Sequence, residues 1–353
     1  MPNALRSYRA LLGTPLLALE PAALWRRQES SRTKGDGDNL AARKIIIDTD
    51  PGQDDAVALL LALASPEEVE VIAVVAVAGN VPLSHTTTNA RQVLELAGRT
   101  DVPLYAGCAR PMRRRLVTAE HVHGPTGLNG PALPAPTMPV QGQHGVQYLI
   151  DAYRGAEAGS ITLVTLGPLT NIAMALVEAP DIAPRLREIV AVLGSWSENG
   201  NITPAAAFNE YVDPEAADVV LTSGVPLTMV PMDVTHQCLS TPSRLAALRT
   251  NGNACSVAAA DMLAFSEAFD MAKYGWEGAP LHDPCAIAYL IDPAMFGGRK
   301  VNVVVETAGL HTSGMTVVDW WSVTDREPNA YFLREVDVAR FYALLKERLG
   351  RLP

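Results

Sequence analysis

The chain has 353 residues, 48% of them hydrophobic and 19% charged, with a formal net charge of −10. That composition supports a sizeable core in one large or two smaller domains, argues against a largely disordered chain and makes a nucleic-acid backbone a poor partner. Cys108, Cys238, Cys255 and Cys285 show no CxxC and no Cys/His ligand spacing, so they read as free thiols of a reducing, cytoplasmic compartment. No run is long and apolar enough to span a membrane.

Residues 1–43 read as an N-terminal extension without fixed structure. LLGTPLLALEPAAL is interrupted by Pro15, Glu20 and Pro21, and no clear AxA cleavage site follows it. Arg6, Arg9, Arg26, Arg27 and Arg32 leave organelle targeting as a second reading.

From residue 44 strands and helices alternate. KIIID (44–48) is a β-branched run suited to a strand buried on both faces, and DAVALLLALAS (55–65) follows as a helix stopped by Pro66. VEVIAVVAVAGN (69–80) is the next strand, and TTNARQVLELAG a helix ended by Gly98. VPLYAG (102–107) is a short strand. After a Pro/Gly-rich stretch come a helix at GVQYLIDAYRGA, a strand at SITLVTLG (160–167) and a helix at LTNIAMALVEA. EIVAVLG (188–194) reads as strand, VDPEAADVVLTSG (212–224) as helix and VPLTMVPMD (225–233) as strand. The expected fold is α/β: a single domain over residues 44–350, with a mostly parallel Rossmann-like sheet and helices on both faces.

Ligands of such sheets sit beyond the carboxyl ends of the strands. Asp48 to Asp55, Gly79-Asn80, Leu166-Gly167 and Gly194 through Asn209 all fall on that rim. The acids of IIIDTDPGQDD stand out, because carboxylates at about 4 Å repel by roughly 4 kcal/mol at a protein-like effective dielectric. Asp50 and Asp55 flank a Pro-Gly turn leading into a helix N-terminus, a geometry that can aim both at one point. Oxygen ligands without Cys or paired His select Ca²⁺ or Mg²⁺ over Zn²⁺, and the EF-hand pattern is absent. Plain structural roles stand beside that one: Asp48 bonding loop amides, Asp54 capping the helix. Asp283, with His282 beside it, opens the apolar run of PLHDPCAIAYLIDP (280–293).

These residues resemble the inosine–uridine-preferring nucleoside hydrolases. The likeness is carried in order by DTDPGQDDAVALLLAL, VAGN (77–80), HGPTGLNG (123–130), LGPLTNIAMAL (166–176), GNITPAAAFNEYVDPEAA (200–217), HDPCAIAYLIDP (282–293) and SGMTVVD (313–319). The resemblance implies one bound Ca²⁺ and hydrolysis of the N-glycosidic bond of purine and pyrimidine ribonucleosides in nucleoside salvage. It makes Asp50, Asp55, the Leu166 carbonyl and Asp283 the metal ligands, and Asp54 the general base. Asn80, Asn201 and Asn209 would hold the ribose hydroxyls, and His282, as proton donor, and His123 would face the base. It also implies a homodimer or homotetramer. Tyr274 and Trp276, in FSEAFDMAKYGWEG (265–278), offer rings for stacking on a base or for packing a flap.

Two positions depart from the pattern. Ala207 stands where the family carries a Glu that bonds the ribose 5′-hydroxyl, and Pro125 replaces a Glu in the HGPT stretch. Ala207 motivates one alternative, a family member that binds nucleoside or sugar without turnover. A haloacid-dehalogenase-type phosphatase is a weaker fit, since Pro51-Gly52 occupy the positions where its nucleophile motif needs Gly-Thr.

Overall fold

Ile45, Ile46 and Ile47 are fully buried, with Ile45 and Ile47 in one core cluster and Ile46 in the other. That alternation places their strand in the middle of a sheet covered on both faces, as a continuous β-branched run requires. The computed structural model describes residues 41–353, and Ala42–Pro353 form one compact unit. Nearly all of the expected N-terminal extension therefore lies outside the described residues.

The sheet strands are β1 (Arg43–Thr49), β2 (Val69–Ala76), β3 (Leu104–Ala106), β4 (Ile161–Thr165), β5 (Glu188–Val192) and β6 (Leu227–Val230). A two-stranded ribbon follows, β7 (Leu239–Ser240) with β8 (Ala279–Pro280), and then β9 (Phe296–Val305), β10 (Thr316–Asp319) and β11 (Ala330–Val336). Their order is β10-β9-β11-β6-β5-β4-β1-β2-β3, parallel from β11 through β3. β9 runs antiparallel to both β11 and β10 and makes the one departure from the parallel pattern. The chain winds from β1 outward to β3, then restarts on the other side of β1 with β4. The crevice between the carboxyl ends of β1 and β4 is the topological switch point where such sheets bind ligands.

The helix Gln53–Leu63 is buried nearly all round, with Ala56 through Leu61 at 0% exposure. Helices Ala254–Tyr274 and Pro284–Ile291 pack over it, which explains why it carries no polar face. It begins two residues before the expected start and ends at Leu63 rather than at Ser65; the Ser65 hydroxyl then bonds the Leu61 carbonyl at 2.8 Å. Gly98 does follow the helix Leu83–Leu96, with a left-handed φ of +66°. No helix among the described residues is long and apolar enough to cross a membrane.

Candidate active site

The turn Asp50-Pro51-Gly52 carries β1 into the helix Gln53–Leu63. Gly52 takes the N-cap position and donates its N–H to Asp55 Oδ2 at 3.0 Å, while the Asp50 N–H and the Thr49 hydroxyl both reach Asp55 Oδ1. Asp55 satisfies the helix start, so the capping role considered for Asp54 falls to its neighbour. Asp54 is left facing the cavity, partly exposed. Asp48 accepts from the Asn171 side chain at 2.8 Å instead of from loop amides.

Asp50 lies in a slot. The Asn80 N–H donates to its Oδ2 at 2.7 Å, and a Cβ at Gly79 or Gly167 would stand only 2.0 or 2.3 Å from its carboxylate oxygens. Asp283 arrives from the far end of the sequence, at the start of the helix Pro284–Ile291. One oxygen each of Asp54, Asp55 and Asp283 lie within 4.8 Å of one another. Two oxygens on one Ca²⁺ stand at most about 5 Å apart, given ligand distances near 2.3–2.6 Å, so the trio fits a single coordination shell. Burial, reinforced by mutual repulsion, pushes Asp283 well above the usual carboxylate range and raises Asp55 too; burial alone takes Asp54 to about 6. Asp50 is likewise raised well above its usual value, by burial first and then by Asp55. A cation would relieve this repulsion. Of the four metal ligands expected from sequence, Asp55 and Asp283 are in the trio; Asp50 and Leu166 border it, and the Leu166 carbonyl accepts from Asn209 Nδ2 at 2.7 Å.

The trio opens onto a cavity of about 370 Å³, within the usual range for small-molecule sites. Asn80, His123, Asn201, Asn209, Tyr274, Trp276 and His282 all line it. Asn80 spends its amide hydrogens on the Asp50 carbonyl and Asp55 Oδ2, both at 3.2 Å. Asn209 spends its own on the carbonyls of Leu166 and Val192. Each is thereby held with its Oδ1 left to accept a hydroxyl. Asn201 sits on an exposed loop.

Two histidines are fixed from behind. His123 Nδ1 meets Gln53 Oε1 at 2.6 Å, and the Gln53 amide donates to the carbonyls of His123 and Asn129. Gln53 therefore accepts from the ring, which puts the proton on Nδ1 and leaves Nε2 as an acceptor. Thr235 holds His282 Nδ1 at 2.7 Å. Burial depresses His123 to about 4 and His282 to about 3, so both are neutral at pH 7. A neutral His282 donates only through a ring N–H. Tyr274 and Trp276 stack on each other, centroids 4.9 Å apart, and His236 meets the Trp276 edge at 5.0 Å.

Sequence reasoning missed Gln53, Thr235, His236 and Glu210. Gln53 sits inside the acidic motif, and an uncharged amide at the start of that helix was a usable signal. The other three gain meaning only from neighbours distant in sequence. His236 pairs with Glu198 at 3.0 Å on the cavity wall. Glu210 is fully buried beside the Gly194 backbone and is raised to about 8 by burial.

An acid trio at the switch point of a parallel sheet, beside a cavity edged with asparagine acceptors and neutral histidines, can hold a cation against a small polar molecule. Residues 45–343 match the profile of the inosine-uridine preferring nucleoside hydrolases, and the chain belongs to that family as an N-ribosyl hydrolase. Among its relatives, the pyrimidine-specific ribonucleoside hydrolase RihA of Photobacterium profundum is 45% identical over 88% of this chain and 99% of its own. An uncharacterized protein of Schizosaccharomyces pombe is 52% identical over 88% and 100%. A solved plant nucleoside hydrolase superposes with a TM-score of 0.81 at 35% identity, covering 87% of this chain and 99% of its own. The purine-preferring ribonucleoside hydrolase of Gardnerella vaginalis also reaches 0.81, at 30% identity over 87% and 98%.

Proposed function

We propose that the chain is a Ca²⁺-dependent hydrolase that splits the N-glycosidic bond of ribonucleosides into free base and ribose, in nucleoside salvage. The carrying observation is the convergence of Asp54, Asp55 and Asp283. The higher identity to pyrimidine-specific than to purine-preferring relatives favours uridine and cytidine as substrates. A cytoplasmic location and a homodimer or homotetramer belong to the same reading, the assembly supported by the exposed Val317, Trp321 and Val323 beside the sheet edge.

Asp55 and Asp283 would hold the ion, with Asp50 and the Leu166 carbonyl at its border. When bound, the cation neutralises the acids, orients two vicinal hydroxyls and makes water a stronger acid. Asp54 is the one acid of the trio that is partly exposed to the cavity, so it takes the proton of the attacking water, a contribution of roughly 10²- to 10⁴-fold. Positive charge developing on the sugar is stabilised by the anionic floor. Asn80 and Asn209 accept the sugar hydroxyls through their free Oδ1 atoms. His282, held by Thr235, and His123, held by Gln53, set the orientation of the leaving base.

Ribose release from uridine, cytidine, inosine and adenosine, before and after chelation and Ca²⁺ replacement, tests this reading. Activity should vanish on chelation, return with Ca²⁺, and fall about 10²-fold or more in Asp54→Ala with the fold retained. Tight nucleoside binding without any ribose release would favour a non-catalytic binder. Near-wild-type kcat in Asp54→Ala would remove the assigned base.

A further inference from the structure

The short helix Met232–Thr235 follows β6 directly and borders the cavity. Its Asp233 carboxylate accepts the backbone N–H groups of Trp196 and Ser197 at 2.7 and 2.8 Å, and the Ser197 hydroxyl at 2.6 Å. That anchors the loop carrying Glu198. Thr235, the last residue of the helix, bonds His282 Nδ1. His236 is the C-cap, its backbone N–H donating to the Met232 carbonyl at 2.9 Å. One turn of chain therefore sets Glu198, His236 and His282 against the same end of the cavity, and all three line it.

His236 Nδ1 stands 3.0 Å from Glu198 Oε2. An ionised carboxylate only accepts, so the ring donates from Nδ1 and Nε2 is its second proton site. Among the described residues no hydrogen bond claims that nitrogen, and it is not sealed from solvent. The ring centroid lies 5.9 Å from that of His282 and 5.0 Å from that of Trp276, beside the groups assigned above to the leaving base. His123 and His282 are held by uncharged partners, Gln53 and Thr235, and His121 meets the Phe269 ring. Among the described residues of the cavity wall, His236 is the one histidine paired with a carboxylate. A carboxylate on one ring nitrogen favours the positive imidazole, the form that has a proton to give.

Splitting an N-glycosidic bond leaves the bonding electron pair on the base, and a proton delivered there makes the base a better leaving group. We infer that His236 is the catalytic proton donor to the departing base, with Glu198 stabilising its charged ring. The inference rests on the ribonucleoside reading above and deepens it. As the C1′–N bond breaks, its electrons go to the base and the Nε2 proton of His236 follows them. The hydroxyl of the attacking water joins C1′, and Asp54 keeps the water's other proton. Release of that proton to solvent, and uptake of one by His236, restore both groups. The Glu198 side chain is 44% exposed, so this end of the cavity is open to water for that exchange. His282 remains an orienting group.

The test sets uridine, whose base needs a proton, against p-nitrophenyl β-ribofuranoside, whose leaving group departs as a stable anion. kcat/KM for both is compared in wild type, His236→Asn, Glu198→Gln and His282→Asn. His236→Asn should lose about 10²-fold or more on uridine and far less on the nitrophenyl riboside. Glu198→Gln should show the same selective loss, smaller in size. Near-wild-type uridine turnover in His236→Asn, or equal losses on both substrates, overturns the inference. A selective loss confined to His282→Asn gives the donor's role to His282 and overturns it too.

Glu198→Gln alters an exposed loop and decides the case if His236→Asn does not fold; equal effects on both substrates, or none, count against the inference. A wild type that releases sugar from neither substrate defeats the hydrolase reading and the inference together.

Discussion

Burial raises both Asp54 and Glu210, in different surroundings. Asp54 faces the cavity beside two other acids, where a cation or a proton must balance the charge. Glu210 is fully buried, and its elevation to about 8 is a cost to the folded state as pH rises. An acid whose pKa is raised on folding holds its proton longer when folded than when unfolded. Stability therefore falls with pH between the ordinary glutamate value, about 4.3, and about 8. Glu210→Gln should remove that slope, so thermal melts of ligand-free protein should show the variant gaining on the wild type toward pH 8 and losing that advantage near pH 5. A constant difference across that window would mean that Glu210 titrates normally. The sequence showed that acids cluster at 48–55, and the family resemblance implied Asp283 as a partner. It did not show which oxygens converge, because Asp50 and Asp55 share a motif but only Asp55 reaches the trio. The slot beside Gly79 and Gly167 makes that difference.

The elements that build the site are short turns at strand ends, and their glycines leave room for carboxylates. A methyl at Gly79 would collide with Asp50 Oδ2 and Pro168. Gly79→Ala should therefore displace the Asp50 carboxylate and weaken divalent-cation binding by about tenfold or more, the effect usual for residues that support metal ligands. Calorimetric titration with Ca²⁺ would check it, and an affinity equal to the wild type would show that the turn relaxes freely. The helices and parallel strands were legible at this scale because their apolar runs have the right lengths and stops. The start of Gln53–Leu63 was placed too late because the helix cap is Gly52, whose role shows only through its bond to Asp55. The antiparallel β9 was not legible either, since strand direction depends on pairing and leaves little trace in a run such as FGGRKVNVVV.

At the scale of the whole molecule, the site joins the first βα turn to a helix that begins at Pro284. An ion shared by Asp55 and Asp283 would link these distant segments and stabilise only the folded chain. At a hundredfold excess over its dissociation constant it should add about 2.7 kcal/mol, a shift of roughly a few degrees in Tm for a chain of this size. Asp283→Ala should abolish the Ca²⁺-dependent shift in a melt, whereas a shift that survives would place the ion elsewhere.

By itself the sequence determined the α/β class, the family and the list of acids, asparagines and histidines at issue. Those properties reside in local patterning and in motifs whose spacing the chain preserves. Tertiary structure alone decided that Asp54 joins Asp55 and Asp283, that Gln53 and Thr235 orient the histidines, and that Glu210 is fully buried. Each of these depends on which atoms the winding of the sheet brings within a few ångströms, and burial then sets the charge that each group can carry.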